Sequence, residues 1–279
     1  MPVDQLPMTL DEAQRLYERP AIVQTVPKGG SAEASVMKPD GNAVQKGHAK
    51  AVFDSGLKVG LKTGLAWQIN NINAAVAGLS HDVLDPVYNF GALMVNQRVV
   101  PAVITEARNL YNQDGDYVVR LSGALYKIEK QARFSSVPPS WREYLSFPKA
   151  KPIDREDIMV LQGDEDRNIW RVAVQNGWTQ GVEQANIMLT QAMDRLNRDF
   201  GGMVRFHEFV IKGQVSLPVI ATEDIPVSHT GATMAVDETL LRLTTLPQFN
   251  SKMSSWKAVV ISDSKPATVE GAATSQDQK

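Results

Sequence analysis

The run VQNGWTQGVEQANIMLTQAMDRLNRDF, residues 174–200, decides how this chain is read. Leu189, Met193, Leu196 and Phe200 recur at helical spacing, so the run lies inside one long helix. Gly177, Gly181 and Ala185 are spaced by four on the same element. Such a smooth strip lets another helix or sheet approach closely. The pattern extends the helix from about Asp166 to Ile211, with Gly201-Gly202 expected to break or kink it.

A second helix is expected from about Ala49 to Leu79, with Phe53, Leu57, Leu61 and Leu65 on its apolar face and Trp67, Ile69 and Ile72 widening it. A short helix or turn covers Tyr88 to Asn96. Strands lie between and after the helices. Ala102 to Tyr111 is extended, and Asn112-Gln113-Asp114-Gly115-Asp116 is a turn. Tyr117, Val119 and Leu121 alternate with Val118, Arg120 and Ser122, the strand period. Gly123 allows a bulge, and Leu125 to Phe134 continues as a third strand of a meander. Val215 to Glu223 and Thr239 to Leu246 are two further strands. Strands grouped apart from helices argue for an α+β fold, with a small antiparallel sheet packed against long helices.

The ends read differently. Residues 1–47 form a tether of Pro, Gly and Ser, interrupted by Thr9-Leu10-Asp11-Glu12, a capping box that starts a short helix ended by Pro20. Residues 48–261 form one α+β core, and 262–279 are a polar tail with little to bury. Ser140, after Pro138-Pro139, is placed to cap a turn through Trp141, Arg142 and Tyr144. The stretch 147–165 carries Asp154, Glu156, Asp157, Asp164 and Glu165 and reads as a solvated connector.

The 279 residues carry a net charge of −2 and no dense Lys/Arg run, which disfavours direct nucleic-acid binding. Zero cysteines exclude disulfides, thiolate metal sites and thiol nucleophiles within these residues. His48, His81, His207 and His229 form no pair at metal-ligand spacing. Ser80-His81-Asp82 has triad residue types but lies in a helix-terminating turn, without a nucleophile elbow. The acidic group 154–166 lacks calcium-loop order. No phosphate-cradling glycine motif occurs. No metal, cofactor or catalytic residue is therefore assigned. Trp67, Trp141, Trp170, Trp178 and Trp256 read as core residues, with an interface as the sharper use.

Four runs in order carry a resemblance. They are Gly64-Leu65-Ala66-Trp67, then Pro138-Pro139-Ser140-Trp141-Arg142-Glu143-Tyr144-Leu145, then Trp178-Thr179-Gln180-Gly181 with Gln184-Ala185-Asn186, then Asp199-Phe200-Gly201-Gly202-Met203. Across residues 50–257 the chain resembles the DotC family of type IVB secretion systems, called TraI in IncI-type plasmid conjugation. Trp67, Trp141, Arg142, Tyr144, Trp178, Gly181, Phe200, Gly201, Gly202 and Met203 are its signature residues here, with packing or interface roles. The resemblance implies a non-catalytic lipoprotein on the periplasmic face of the outer membrane. It implies DotD-like and DotH-like partners and a homo-oligomeric ring, and no cofactor beyond a covalent lipid. The lipidated cysteine does not occur in these residues and is expected just upstream of Pro2. Two other readings of the residues stay open: a peptidoglycan-binding module using the aromatic residues, and a hydrolase using dispersed carboxylates.

Overall fold

The computed structural model describes residues 7–18, 41–113, 116–148, 153 and 157–257. Two long helices dominate them. Helix α1 (Leu10–Gln14) is short; α2 (Gly41–Leu79) has 39 residues. A turn of π helix over Ser80–Leu84 leads into the three-residue α3 (Asp85–Val87), and α4 (Asp164–Ile211) has 48 residues. The strands are β1 (Val99–Val100), β2 (Val103–Gln113), β3 (Val119–Lys130), β4 (Arg133–Phe134), β5 (Val219–Thr230) and β6 (Thr233–Thr245). They pair antiparallel, two by two: β1 with β4, β2 with β3, β5 with β6. The class is α+β, as the grouping of strands implies.

The α2–α4 contact is built on missing side chains. A β-carbon at Gly60 would overlap the Val174 carbonyl, and one at Gly177 would overlap the Leu57 carbonyl. Gly181 meets the Leu61 carbonyl and Gly64 the Trp178 carbonyl in the same way. Each backbone thus rides against the other, an approach that any side chain would block. The contacts advance together, from Gly56 on Ala173 to Gln68 on Asn186, so the two helices run parallel. Thr63, wholly buried in this seam, donates back to the Val59 carbonyl at 2.8 Å and leaves no polar atom unpaired.

This seam corrects the expected apolar face of α2. The buried positions are Val52, Gly56, Val59, Gly60, Thr63, Gly64, Ala66, Ile69 and Ile72. Phe53, Leu57 and Leu65 are half-buried flanks, and Leu61 is 38% exposed. The large side chains cannot occupy the seam, because the backbones already fill it. Helix α2 also begins at Gly41, earlier than the periodicity marks.

Gly201-Gly202 does not break α4, which runs on to Ile211. A β-carbon at Gly202 would lie 2.5 Å from Val103 Cγ1 and 3.1 Å from the Ile104 amide nitrogen. Gly202 is therefore the point where β2 crosses the helix, and packing on the strand offsets its low helix propensity. The three-stranded meander is also corrected. Gly123 sits within β3, so 119–130 is one strand and the unit is a two-stranded hairpin with Gln113 opposite Val119. Opposite Gly123, Asn109 takes φ of 52°, and this local twist leaves the strand unbroken. The C-terminal strands are longer than expected and form a second hairpin, with Val227 opposite Val236.

The core is strung along the helix pair. At one end Val52, Val59, Trp170 and Val174 pack with Met8, Ala13 and Leu16 from the N-terminal segment. There α1 shows the full capping box, with Thr9 and Glu12 satisfying each other's backbone. In the middle Ile69 and Ile72 meet Ala185. At the far end Phe206 and Phe209 support Ile104 of the first hairpin and Ala102 just before it. Of the expected tether (1–47), residues 1–6 and 19–40 lie outside the described residues, as do the expected C-terminal tail (262–279), Asp154 and Glu156.

Candidate functional site

Most signature residues converge on one junction, where the second half of α4, the start of β2 and the segment 138–145 meet. Its floor is aromatic. The Phe90 ring packs edge-on to Phe200 at 5.2 Å and parallel to Tyr144 at 6.3 Å, and Tyr88 meets Phe200 edge-on at 5.3 Å. Edge-to-face rings attract through their quadrupoles beyond simple burial. Trp141, Met203, Leu196 and Val103 complete the apolar cluster.

Asp199 lies at the centre, 1% exposed. Its Oδ2 accepts from Lys130 Nζ at 2.6 Å and from Tyr144 Oη at 2.8 Å, and its Oδ1 accepts from Arg198 Nε at 2.9 Å. Burial pushes this carboxyl up, but the three donors outweigh burial and hold it below the ordinary carboxylate value. Burial, then the hydrogen bond to Asp199, pushes the Tyr144 hydroxyl well above its ordinary value. Tyr144 is thus a fixed donor and Asp199 a fixed anion. With Lys130 they tie β3, α4 and the 138–145 segment together. A small cleft of about 90 Å³ opens beside them, lined by Lys130, Arg133, Glu143, Tyr144 and Asp199 among others.

Next to the junction, Ser140 and Glu143 form a second capping box around the turn Trp141–Glu143, as the sequence suggests. This aims two side chains at α3. Trp141 Nε1 donates to Asp85 at 2.8 Å, and Arg142 donates to both oxygens of Asp85 at 2.8 and 3.3 Å. The guanidinium also lies 4.2 Å over the Trp141 ring. The Arg142 hydrogen bonds, then that of Trp141, hold the Asp85 carboxyl low.

Of the ten signature residues, Trp141, Arg142, Tyr144, Phe200, Gly202 and Met203 meet here, with Gly201 on the same turn of α4, where an added β-carbon would meet nothing. Trp67, Trp178 and Gly181 lie apart, in the helix seam. Gly181 lets the Leu61 backbone in, and the Trp67 and Trp178 rings pack at 5.7 Å, Trp67 remaining 37% exposed. Sequence reasoning missed Asp199 as the organising charge, along with Lys130, Asp85 and Phe90. Asp199 heads the run Asp199-Phe200-Gly201-Gly202-Met203, yet its partners sit 69 and 55 residues away and share no local pattern with it.

The remaining candidates are dispersed. Asp166, nearly buried, accepts from the Gln162 amide and from His48, each at 2.9 Å; the amide first, then His48, lowers its carboxyl. Asp157 pairs with Lys62 and Asp164 with Arg167. His207 donates Nε2–H to the Leu93 carbonyl at 2.7 Å. Among the described residues no three His, Asp or Glu gather as metal ligands, and no helix is long and apolar enough to cross a membrane.

The model of the family described as "Type IV secretory system, conjugal DNA-protein transfer" matches residues 46–258, which include the helix seam, the junction and both hairpins. Among curated proteins no sequence matches this one. The matched span is most of the chain, and it contains all four ordered runs, so the protein belongs to the type IV secretory, conjugal DNA-protein transfer family, as a TraI/DotC-type conjugation protein.

Proposed function

We propose that this chain is a non-catalytic structural subunit of the outer-membrane core complex of a type IVB-class secretion or conjugation system. In this reading a lipidated cysteine upstream of Pro2 anchors it to the periplasmic face of the outer membrane. Copies stand in a ring, and with a DotD-like lipoprotein they help place a DotH-like partner at the membrane.

One observation carries the reading: the β5–β6 hairpin exposes both of its faces. Val227, Met234 and Val236 are 56, 70 and 59% exposed on one face, while Ser228, Thr230, Thr233 and Ala235 line the other. A two-stranded ribbon is marginal on its own in water. Its apolar face and open edges suit neighbouring subunits. The charges favour a scaffold as well. Among the described residues the buried carboxylates Asp166 and Asp199 already have partners, and they stand about 50 Å apart along α4, too far to act as a pair.

The test is direct. The chain is expressed behind a lipobox cysteine with its secretion system, and cells are fractionated. The reading expects it in the outer membrane and expects DotD- and DotH-like proteins to co-purify. A chain that stays soluble and brings down neither sinks it. A second reading, peptidoglycan binding, draws on Trp67, part-exposed beside Gln68 and Asn186. Co-sedimentation with purified peptidoglycan, lost on Trp67→Ala, would favour it over the scaffold.

A further inference from the structure

We propose that copies of this chain bind one another hairpin to hairpin: the Val227 face of β5–β6 in one copy packs on the Leu121 face of β2–β3 in a second copy. The proposal gives the scaffold reading its self-contact and rests on that reading.

Each hairpin is an unfinished sheet. Two antiparallel strands alone are marginal in water, whereas three or more with an apolar face are stable. Within one chain the two hairpins belong to separate sheets. Both turn apolar side chains to solvent near the turn. On β2–β3 Tyr111 stands opposite Leu121, and they are 65 and 79% exposed. On β5–β6 Val227 stands opposite Val236, both more than half exposed. The lengths match too: β3 and β5 have 12 residues each, about 40 Å.

Charge chooses the pairing. Strands β5 and β6 carry the carboxylates Glu223, Asp224, Asp237 and Glu238 and the single cation Arg242, a net charge of −3 with His229 neutral. Among the described residues none of the four carboxylates is paired with a cation; Asp224 accepts from Thr239 at 3.2 Å and Glu238 from Ser228 at 2.6 Å, both neutral donors. Strands β2 and β3 carry Arg108, Arg120, Lys127 and Lys130 against Glu106 and Glu129, a net charge of +2. Helix α4 engages Lys130 through Asp199 and Glu106 through Arg205, one charge of each sign, so the balance stays positive. Like ribbons therefore repel and unlike ribbons attract.

The order of the residues fits the same pairing. On β3, Leu121, Leu125 and Lys127 share one face, apolar near the turn and cationic toward the base. Tyr126 and Ile128 alternate with them and face α4, where Tyr126 meets Phe209 edge-on at 4.8 Å. On β5, Val227, Ile225 and Glu223 share one face in the same order from the turn. Two sheets pack face to face about 10 Å apart. Laid turn beside turn, the apolar residues of the two ribbons meet, and Glu223 comes to Lys127. The Lys127 side chain is 69% exposed, and its pair with Glu129 lies on the surface, where a second carboxylate can share the ammonium.

These residues contain no cysteine, which makes the test clean. Two differently tagged full chains are co-expressed with the secretion system, one carrying Leu121→Cys and the other Val227→Cys, and membranes are treated with a short bis-maleimide. The expected result is a mixed-tag dimer several-fold above that of a Leu121→Cys and Asp194→Cys pair. Adding Glu223→Lys to the Val227→Cys copy should cut the yield several-fold, and adding Lys127→Glu to the other copy should restore it. A mixed-tag yield no higher than the control overturns the proposal. So does a yield that ignores both charge reversals, or a Leu121→Cys copy that links only to another protein of the system. If the chain never reaches the outer membrane, the anchoring reading fails instead. The same crosslink then decides the self-contact in the soluble fraction: a charge-sensitive mixed-tag dimer sustains it, and its absence overturns it.

Discussion

The helix seam and the β5–β6 hairpin are opposite solutions to one problem, how to satisfy a backbone. In the seam each α-helix satisfies its own hydrogen bonds, and glycines let the two backbones pack against each other. The hairpin satisfies one edge of each strand and leaves the other edge and both faces to solvent. A region closed on itself should govern stability, and a region left open should govern association. The contrast can be broken by substitutions on each side.

The largest effect is expected in the seam. Gly177→Val puts a branched side chain where the Leu57 carbonyl already stands. No rotamer relieves a clash that begins at Cβ, so the helices must separate. Chemical denaturation should show a loss of at least ~3 kcal/mol, at or beyond the upper end of ordinary overpacking. A loss under ~1 kcal/mol would mean that the seam is looser than its backbone contacts imply.

Second comes the junction, which belongs with the closed half. Asp199→Asn removes the charge that Lys130, Tyr144 and Arg198 share. A cost of about 1–3 kcal/mol is expected at neutral pH. The pH dependence has a fixed sign. The folded carboxyl lies below its unfolded value, so its contribution is complete above the unfolded carboxylate range and is lost as pH falls through the folded value. The gap between wild type and Asp199→Asn should therefore narrow between about pH 5 and pH 2. A gap that widens on acidification would contradict the fixed anion.

These two cases also show what a sequence can disclose. The Gly177, Gly181, Ala185 strip is local, so its four-residue spacing announced a close approach before any partner was known. The partner strip of Gly56, Gly60 and Gly64 was hidden behind Phe53, Leu57, Leu61 and Leu65, which share its period and look like a core. Periodicity finds a face, but it does not say whether the large or the small residues sit at its centre. Gly201-Gly202 misled for a related reason. Low helix propensity predicts a break unless something packs there, and β2, a hundred residues earlier, packs on Gly202. The capping boxes at Thr9 and Ser140 were legible because their partners are three residues away. Asp199 was not, because its meaning comes from Lys130 and Tyr144.

Gly201 separates packing from propensity on a smaller scale. It neighbours Gly202 on α4, yet a β-carbon there would meet nothing. Gly201→Ala should raise stability by about 0.5–1 kcal/mol, because alanine loses less backbone entropy in a helix. Gly202→Ala, by contrast, should be destabilising, since its β-carbon would drive into Val103 and Ile104. Two adjacent glycines with opposite signs in one melting experiment would show that contact with β2, and not sequence position, fixes the role of each.

The smallest effect on stability is expected in the open region, and there smallness is the informative result. Val227 and Val236 face each other across β5–β6, both more than half exposed. Replacing Val227 with Lys and Val236 with Glu makes an opposite-charge pair across the ribbon, leaves no cavity and buries no charge, so the isolated chain should melt within about 0.5 kcal/mol of wild type. If the hairpin serves association, the same double variant should cut recovery of the chain with its outer-membrane partners by at least tenfold. A large loss of stability in the isolated chain would mean that the hairpin packs within its own subunit, and the contrast with the seam would fall. Unchanged stability with unchanged assembly would leave the seam as drawn and would move the association surface elsewhere, to the outer face of β2–β3, where Tyr111, Leu121 and Leu125 are 65, 79 and 54% exposed.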